Sequence, residues 1–228
     1  MKTGGNCCTL RNCLSHMTIL STPSSLPTDN HEEASRLESL WSGTFGDAYT
    51  ERNKDTGKGR ENFWHRFLKE YHVKNVLEVG CNVGVNLQCM LPFIKETDMF
   101  GVDVNTEALS ILKEKFPLVN ALHVSARALP FPDASFDLVF TAGVLIHQPT
   151  ESLGDVMKEM VRCSRKYVLC MEYFAEETEE VPYRNQQGAL FKRNYGKLFQ
   201  AFPLTLLKQD YLGQEEGWDR VTWWLFQK

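Results

Sequence analysis

From residue 75 onward, short apolar runs alternate with amphipathic stretches. The apolar runs predict strands over Asn75–Val79, Met99–Asp103, Val119–Val124, Phe136–Thr141 and Tyr167–Met171; their lengths and flanking turn residues suit strands better than helices. The stretches between them predict helices near Asn86–Phe93, Thr106–Phe116 and Glu151–Cys163. In the last, Leu153, Val156, Met157, Met160 and Val161 fall at i, i+3, i+4, i+7 and i+8, one apolar face, with Thr150 as its N-cap. Strands alternating with helices imply a mostly parallel sheet covered on both faces. A helix near Asn194–Phe202 follows, then two apolar runs, Leu204–Lys208 and Arg220–Gln227, joined by a Gly- and Glu-rich turn. Paired as a hairpin, these bring the sheet to seven strands with an antiparallel edge strand. The expected class is α/β, doubly wound and Rossmann-like.

Upstream the texture differs. Residues 1–30 are rich in Ser, Thr, Asn and Pro, without the continuous apolar core of a secretory signal, and read as a disordered tail. Residues 31–72 form an N-terminal helical cap, with helices at Glu32–Trp41 and Arg60–Tyr71; Phe63, Trp64, Phe67, Leu68 and Tyr71 share a stripe of the second. Between them, Trp41–Asn53 reads as a loop heavy in aromatics and glycines. A second irregular segment, residues 173–195, opens with Glu176, Glu177, Glu179 and Glu180.

Composition narrows the class. Hydrophobic residues make up 43% and charged residues 24%, which suits a soluble globular domain. A net charge of −4 argues against a coat of nucleic acid, which needs a basic field. No apolar run approaches the roughly 20 residues of a membrane-spanning helix. Cys81, Cys89, Cys163 and Cys170 fall in apolar segments and read as buried thiols of a reducing compartment; Cys7, Cys8 and Cys13 have poor spacing for a metal clamp. A cytoplasmic protein without a metal, a monomer or weak homodimer, is the expectation.

The strongest chemical signal is Glu78-Val79-Gly80-Cys81-Asn82-Val83-Gly84, a buried strand entering a glycine turn and then a helix. Glycines there let backbone approach a ligand closely. The spacing is G-x-x-x-G, however, where a dinucleotide fingerprint has G-x-G-x-x-G; Asn82 replaces the glycine that admits a pyrophosphate. Asp103 ends the second strand, where a ribose is held by its hydroxyls. A ribose acid without a pyrophosphate seat points to a nucleoside cofactor such as S-adenosyl-L-methionine.

On these residues the chain resembles class I S-adenosylmethionine-dependent methyltransferases from about Trp41 to the C-terminus. The resemblance implies that Glu78, Gly80, Cys81, Asn82, Gly84, Asp103 and Val104 bind the cofactor, that Ser125 and Ala126 line the adenine, and that Thr141 completes the site. Trp41–Asn53, Glu78–Gly84, Gly143–His147, Glu172-Tyr173, Tyr183-Arg184 and Leu190–Arg193 together look more narrowly like the methylases associated with pseudaminic acid biosynthesis. That likeness implies methyl transfer to a nitrogen or oxygen of a small polar metabolite, a sugar or amino-acid derivative.

On the acceptor side, His147 follows a strand at the carboxyl edge of the sheet, where it either takes a proton or holds the loop before Pro149. Glu172 opens onto the same edge and should meet an amino or hydroxyl group. Tyr49 with Trp41, Phe45 and Trp64 forms either a lid over the cofactor or a plug for the sheet end. Tyr183, Arg184, Lys192 and Arg193 either hold an acidic acceptor or are solvated surface. Two other functions stay open: a non-catalytic S-adenosylmethionine-binding module, and an NAD(P)-dependent reductase, against which stand the altered glycine spacing and the lack of a Tyr-x-x-x-Lys pair.

Overall fold

The computed structural model describes residues 31–228; the tail and Cys7, Cys8 and Cys13 lie outside them. The elements are α1 (Glu32–Ser42), α2 (Thr44–Asn53), α3 (Glu61–Glu70), β1 (Val76–Val79), α4 (Val85–Met90), β2 (Met99–Asp103), α5 (Thr106–Lys115), β3 (Asn120–His123), β4 (Phe136–Ala142), α6 (Thr150–Cys163), β5 (Ser164–Glu172), β6 (Glu179–Glu180), β7 (Phe191–Lys192), α7 (Tyr195–Phe199), β8 (Thr205–Leu212) and β9 (Val221–Gln227). Seven strands form one sheet in the order β3-β2-β1-β4-β5-β9-β8; β6 and β7 pair separately. The first five run parallel, and β9 enters antiparallel between β5 and β8.

Each residue of β1 is buried, as the apolar run requires of a central parallel strand. On one face α3, α4 and α5 pack Trp64, Phe67, Met90 and Leu112 against Val76, Leu138 and Leu169. On the other, α6 and α7 pack Val156, Met160 and Phe199 against Leu77, Val139 and Phe226. The chain leaves β3 at one edge and returns to pair β4 with β1. Strand order therefore reverses between β1 and β4, and the crevice beyond their carboxyl ends is where such sheets bind ligands.

Three local expectations are corrected. Trp41–Asn53 is helical: Gly43 ends α1, and α2 starts at once. Gly46 permits this corner, because a Cβ there would stand 1.7 Å from the Trp41 carbonyl oxygen. The segment after Tyr173 contains the β6–β7 hairpin, closed by reciprocal bonds between Tyr183 and Gln186, with Arg184 and Asn185 both at positive φ (48° and 64°). That is the pairing of left-handed residues a two-residue hairpin turn demands. Pro149, not Thr150, is the N-cap of α6.

Candidate active site

Beyond the ends of β1 and β4 lies a pocket whose wall includes Glu78, Gly80, Cys81, Asn82, Asp103, Val104 and Ala126, with Tyr49 and His147. The turn after β1 is built from both sides. Gly80 has φ 75°, and a Cβ on it would meet Val144 Cγ2 at 2.3 Å, so this residue lets the β1 and β4 loops touch at the switch point. Gly84 has φ 76° and Asn82 φ 47°; the Asn82 side chain donates to Thr50 Oγ1 at 2.9 Å and so ties the turn to α2.

Every amide of this turn is occupied within the protein. Gly80 and Cys81 donate to the Val102 carbonyl, Gly84 to that of Cys81, Val83 to Asn82 Oδ1, and Asn82 to Asp103 Oδ2 at 2.8 Å. None of these five is left free for a phosphate group. Asp103 also accepts from the Asn105 amide at 2.9 Å, and burial raises its pKa despite these bonds. Asn105 caps α5 through Ala108 and donates to the Trp41 carbonyl and to Asp47, fastening the α1–α2 corner over the pocket.

Glu78 is 2% exposed. Its Oε1 accepts from Asn86 Nδ2 at 2.6 Å, while Oε2 has no partner among the described residues. Burial pushes its pKa up to about 8. Such a carboxyl oxygen in a pocket wall is a seat for a donor from a ligand. Cys81 is buried, and burial holds its thiol in the protonated form.

Other expected site residues lie off the pocket wall. The Ser125 hydroxyl donates to Glu38, which also takes two bonds from Arg127, at 3.0 and 2.9 Å. This bond latches α1 over the end of β3. Thr141 is fully buried in β4 beside Glu172. Glu172 is itself fully buried and turned inward: Oε1 accepts from the amides of Val144 and Leu145, both at 3.1 Å, and Oε2 from Ile146 at 3.2 Å. Burial lifts its pKa to about 7. Arg193, 2% exposed, donates to the Gln148 carbonyl at 3.0 Å and to Thr150 Oγ1 at 3.3 Å. Both residues therefore hold the loop between β4 and α6 and are corrected from ligand contacts to supports of that loop. A carboxylate needs donors when buried, and three successive amides of a tight turn supply them more cheaply than a ligand would. Lys192 stands opposite Glu179 in the hairpin.

That loop carries His147, whose Nδ1 lies 2.5 Å from the Ala189 carbonyl oxygen. A carbonyl only accepts, so Nδ1 bears the proton and Nε2 keeps its lone pair. Burial pushes the pKa down to about 4, which keeps the ring neutral. Trp41 packs on it at a centroid distance of 4.3 Å, with Tyr183 at 5.4 Å; Phe45 and Tyr49 each meet Trp41 edge-on at 5.3 Å. Of the four aromatic residues expected there, Trp41 and Tyr49 line the pocket, and Phe45 and Trp64 do not. The Trp64 ring is fully buried under β4, and its Nε1 donates to Asn86 Oδ1. Arg184 is exposed at the hairpin tip, its guanidinium 5.9 Å from the Tyr183 ring centre.

One pocket residue had no place in the sequence reading. Arg60, at the start of α3, donates from Nε to the Gly217 carbonyl at 3.0 Å and from a terminal nitrogen to Asn86 Oδ1 at 3.2 Å. Two glycines with positive φ nearby, Gly57 and Gly59, were the available sign of a backbone shaped around something. Among the described residues no group of three His, Cys, Asp or Glu is placed to hold a metal ion, and no helix is long and apolar enough to cross a membrane.

Residues 76–166, from β1 into the start of β5, match the family model described as a methyltransferase domain. A Mycobacterium tuberculosis protein named a probable S-adenosylmethionine-dependent methyltransferase is 26% identical to the chain over 113 residues, covering 46% of the chain and 39% of that relative. An uncharacterized methyltransferase of Schizosaccharomyces pombe is 30% identical over 108 residues, covering 42% of the chain and 39% of its own length. The chain thus spans about two-fifths of the length of these curated relatives. In structure the chain is similar to the 1,6-didemethyltoxoflavin-N1-methyltransferase of Burkholderia thailandensis, solved with S-adenosylhomocysteine. The TM-score is 0.68 at 15% identity, over 91% of this chain and 93% of the other. At that identity the likeness concerns the fold. The matched segment supplies β1, the turn at Gly80, Asp103 and the His147 loop, whereas α1–α3 and the β6–β7 hairpin lie outside it.

Proposed function

We propose that the protein is an S-adenosylmethionine-dependent methyltransferase acting on a nitrogen or oxygen of a small polar metabolite. The observation that carries this reading is the turn after β1, which sets the ribose acid Asp103 at the pocket with the amides of Gly80 to Gly84 already engaged within the protein. The unpartnered Glu78 Oε2 and the Gly80 approach fit the same cofactor. Asp103 would hold the ribose hydroxyls, Val104 and Ala126 the base, and Glu78 the amino-acid end.

When bound, S-adenosylmethionine supplies an electrophilic methyl group on a sulfonium. The protein's part is orientation and exclusion of water, since in-line approach accounts for much of the barrier in such transfers. His147 presents a neutral imidazole with a free Nε2 lone pair, suited to receiving a hydrogen bond from the attacking hydroxyl or amine. Glu172, Ala189 and Arg193 fix the loop that carries it. Tyr49 and Tyr183 wall the acceptor, and Arg184 at the hairpin tip favours an anionic or zwitterionic one. The resemblance to methylases associated with pseudaminic acid biosynthesis agrees with a sugar or amino-acid derivative.

Titration calorimetry tests the reading. S-adenosylhomocysteine should bind the wild type and NAD should not. Asp103→Ala should weaken the former by about 2–3 kcal/mol, roughly 30- to 150-fold, through loss of two hydrogen bonds to the ribose. NAD binding, or unchanged affinity in the variant, would refute it.

A further inference from the structure

The sheet ends on β8, and no further strand pairs with it among the described residues. Every residue from Thr205 to Tyr211 is exposed; only Leu212, at the end, is buried. Leu207 and Tyr211 keep 41% and 53% of their surface. A strand with a free edge offers alternate N–H and C=O groups to any chain that can pair with it. The amide of Tyr211 bonds to the Asp210 carboxylate beside it, at 2.9 Å, and so points away from β9. Gln209, two residues earlier, faces the same way.

Lys208 and Asp210 share the other face-to-face register of this strand. They stand opposite Leu225 and Trp223 of β9, both in the core under α3, and Lys208 Nζ lies 5.5 Å from the centre of the Trp223 ring. Neither charge has an ion-pair partner among the described residues. Strands of two copies that meet edge to edge about a two-fold axis run antiparallel, and the residue on the axis faces itself. With the axis at Lys208 or at Asp210, that charge meets its own copy, like against like, which destabilises the pair. With the axis at Gln209, Lys208 stands opposite Asp210 of the second copy, and Asp210 opposite its Lys208. The charges thus select one register, and in it the outward backbone groups of Gln209 lie on the axis and bond reciprocally. Leu207 then meets Tyr211 of the second copy, an apolar pair at each end. Leu207 is also the extra residue of a bulge, which ends the pairable stretch.

We propose that β8 is a homodimerisation edge: two copies pair antiparallel about Gln209, joining two seven-stranded sheets into one, with reciprocal Lys208–Asp210 ion pairs. On pairing, the Tyr211 amide exchanges Asp210 for the Leu207 carbonyl of the second copy, and the released carboxylate turns to Lys208. The new ladder covers only residues 207–211, so the dimer is weak and concentration-dependent. No residue of β8 belongs to the pocket wall, so association leaves the cofactor site untouched and stands apart from the cofactor reading.

Sedimentation of the full chain over a concentration series tests it. The wild type should pass from monomer to dimer as concentration rises. The midpoint should move up at least about tenfold in Lys208→Asp and in Asp210→Lys, because each reversal sets like charges together at both pairs. The double swap, Lys208→Asp with Asp210→Lys, should restore the wild-type midpoint. So should an equal mixture of the two single variants, in which a chain with acids at both positions faces one with bases at both. Both positions are exposed, so thermal midpoints should stay within about 2 °C of the wild type. A wild type that remains monomeric throughout the series overturns the proposal. So does a dimer that neither reversal weakens, which would lie on another surface. A mixture that associates no more tightly than its two components overturns it as well, since the register about Gln209 requires them to complement each other.

Discussion

Replacing Glu172 by Gln separates charge from shape at the loop that carries His147. In the wild type a fully buried carboxyl group with pKa about 7 faces the amides of Val144, Leu145 and Ile146. Its ordinary value is 4.5, so the folded state binds the proton more tightly than the unfolded chain does. A raised folded-state pKa contributes stability that is complete below about pH 4.5 and is lost as pH rises through about 7. With 1.36 kcal/mol for each pKa unit, the loss amounts to about 3 kcal/mol across that window. Glutamine keeps one acceptor oxygen and has no charge, so it lacks this loss. Urea unfolding at constant ionic strength, from pH 5 to pH 8, should show the variant less stable than the wild type at pH 5, where one amide has lost its acceptor, by about 1–2 kcal/mol. Relative to the wild type it should then gain about 3 kcal/mol by pH 8. Taking the difference between the two proteins removes the parallel titration of Glu78. Stability curves that stay parallel, or a difference that moves the other way, would refute the account of Glu172 as a buried carboxyl group whose desolvation outweighs its three amide bonds.

His147 should set no pH dependence of turnover between pH 6 and pH 9, because its pKa of about 4 leaves it neutral throughout; a profile that loses an acidic limb near pH 6–7 in His147→Gln would contradict this. Gly80→Ala should destabilise the protein by at least about 1–2 kcal/mol, the cost of a side chain in the left-handed region. The clash with Val144 adds to that, so thermal unfolding of the variant with no drop in midpoint would count against the β1–β4 contact as drawn.

The sheet was readable because its signals are local. Buried parallel strands are continuous apolar runs, and the turn after β1 announces itself through Gly80, Gly84 and the acid at Asp103. Helix α2 was missed although Phe45 and Tyr49 stand four positions apart, a helical spacing, because Gly43 and Gly46 weigh against a helix taken one residue at a time. What makes Gly46 admissible is the close approach to Trp41, which no local pattern encodes. The inward turn of Glu172 and Arg193 was illegible for a related reason. A charged residue at the end of a strand faces ligand or protein according to which donors and acceptors a distant segment brings, and those came from residues 144–150. Ser125 depended likewise on Glu38, 87 positions earlier.

The roof and walls of the pocket have a different provenance from its floor. Gly80 and Asp103 belong to the matched segment, whereas Trp41, Tyr49 and Arg60 come from the stretch before it. A chemistry module held constant in this way can be re-dressed by exchanging one flanking piece, with no change to the strand that bears the glycine turn. Three joints between module and dressing run through asparagines: Asn82 to Thr50, Asn105 to Trp41 and Asp47, Asn86 to Arg60. All three asparagines sit on the module side, so a foreign cap would have to offer matching hydrogen-bonding groups at those points as well as an apolar face in place of Trp64 and Phe67. The protein is in that sense an adaptor plate, and its three asparagines are the sockets.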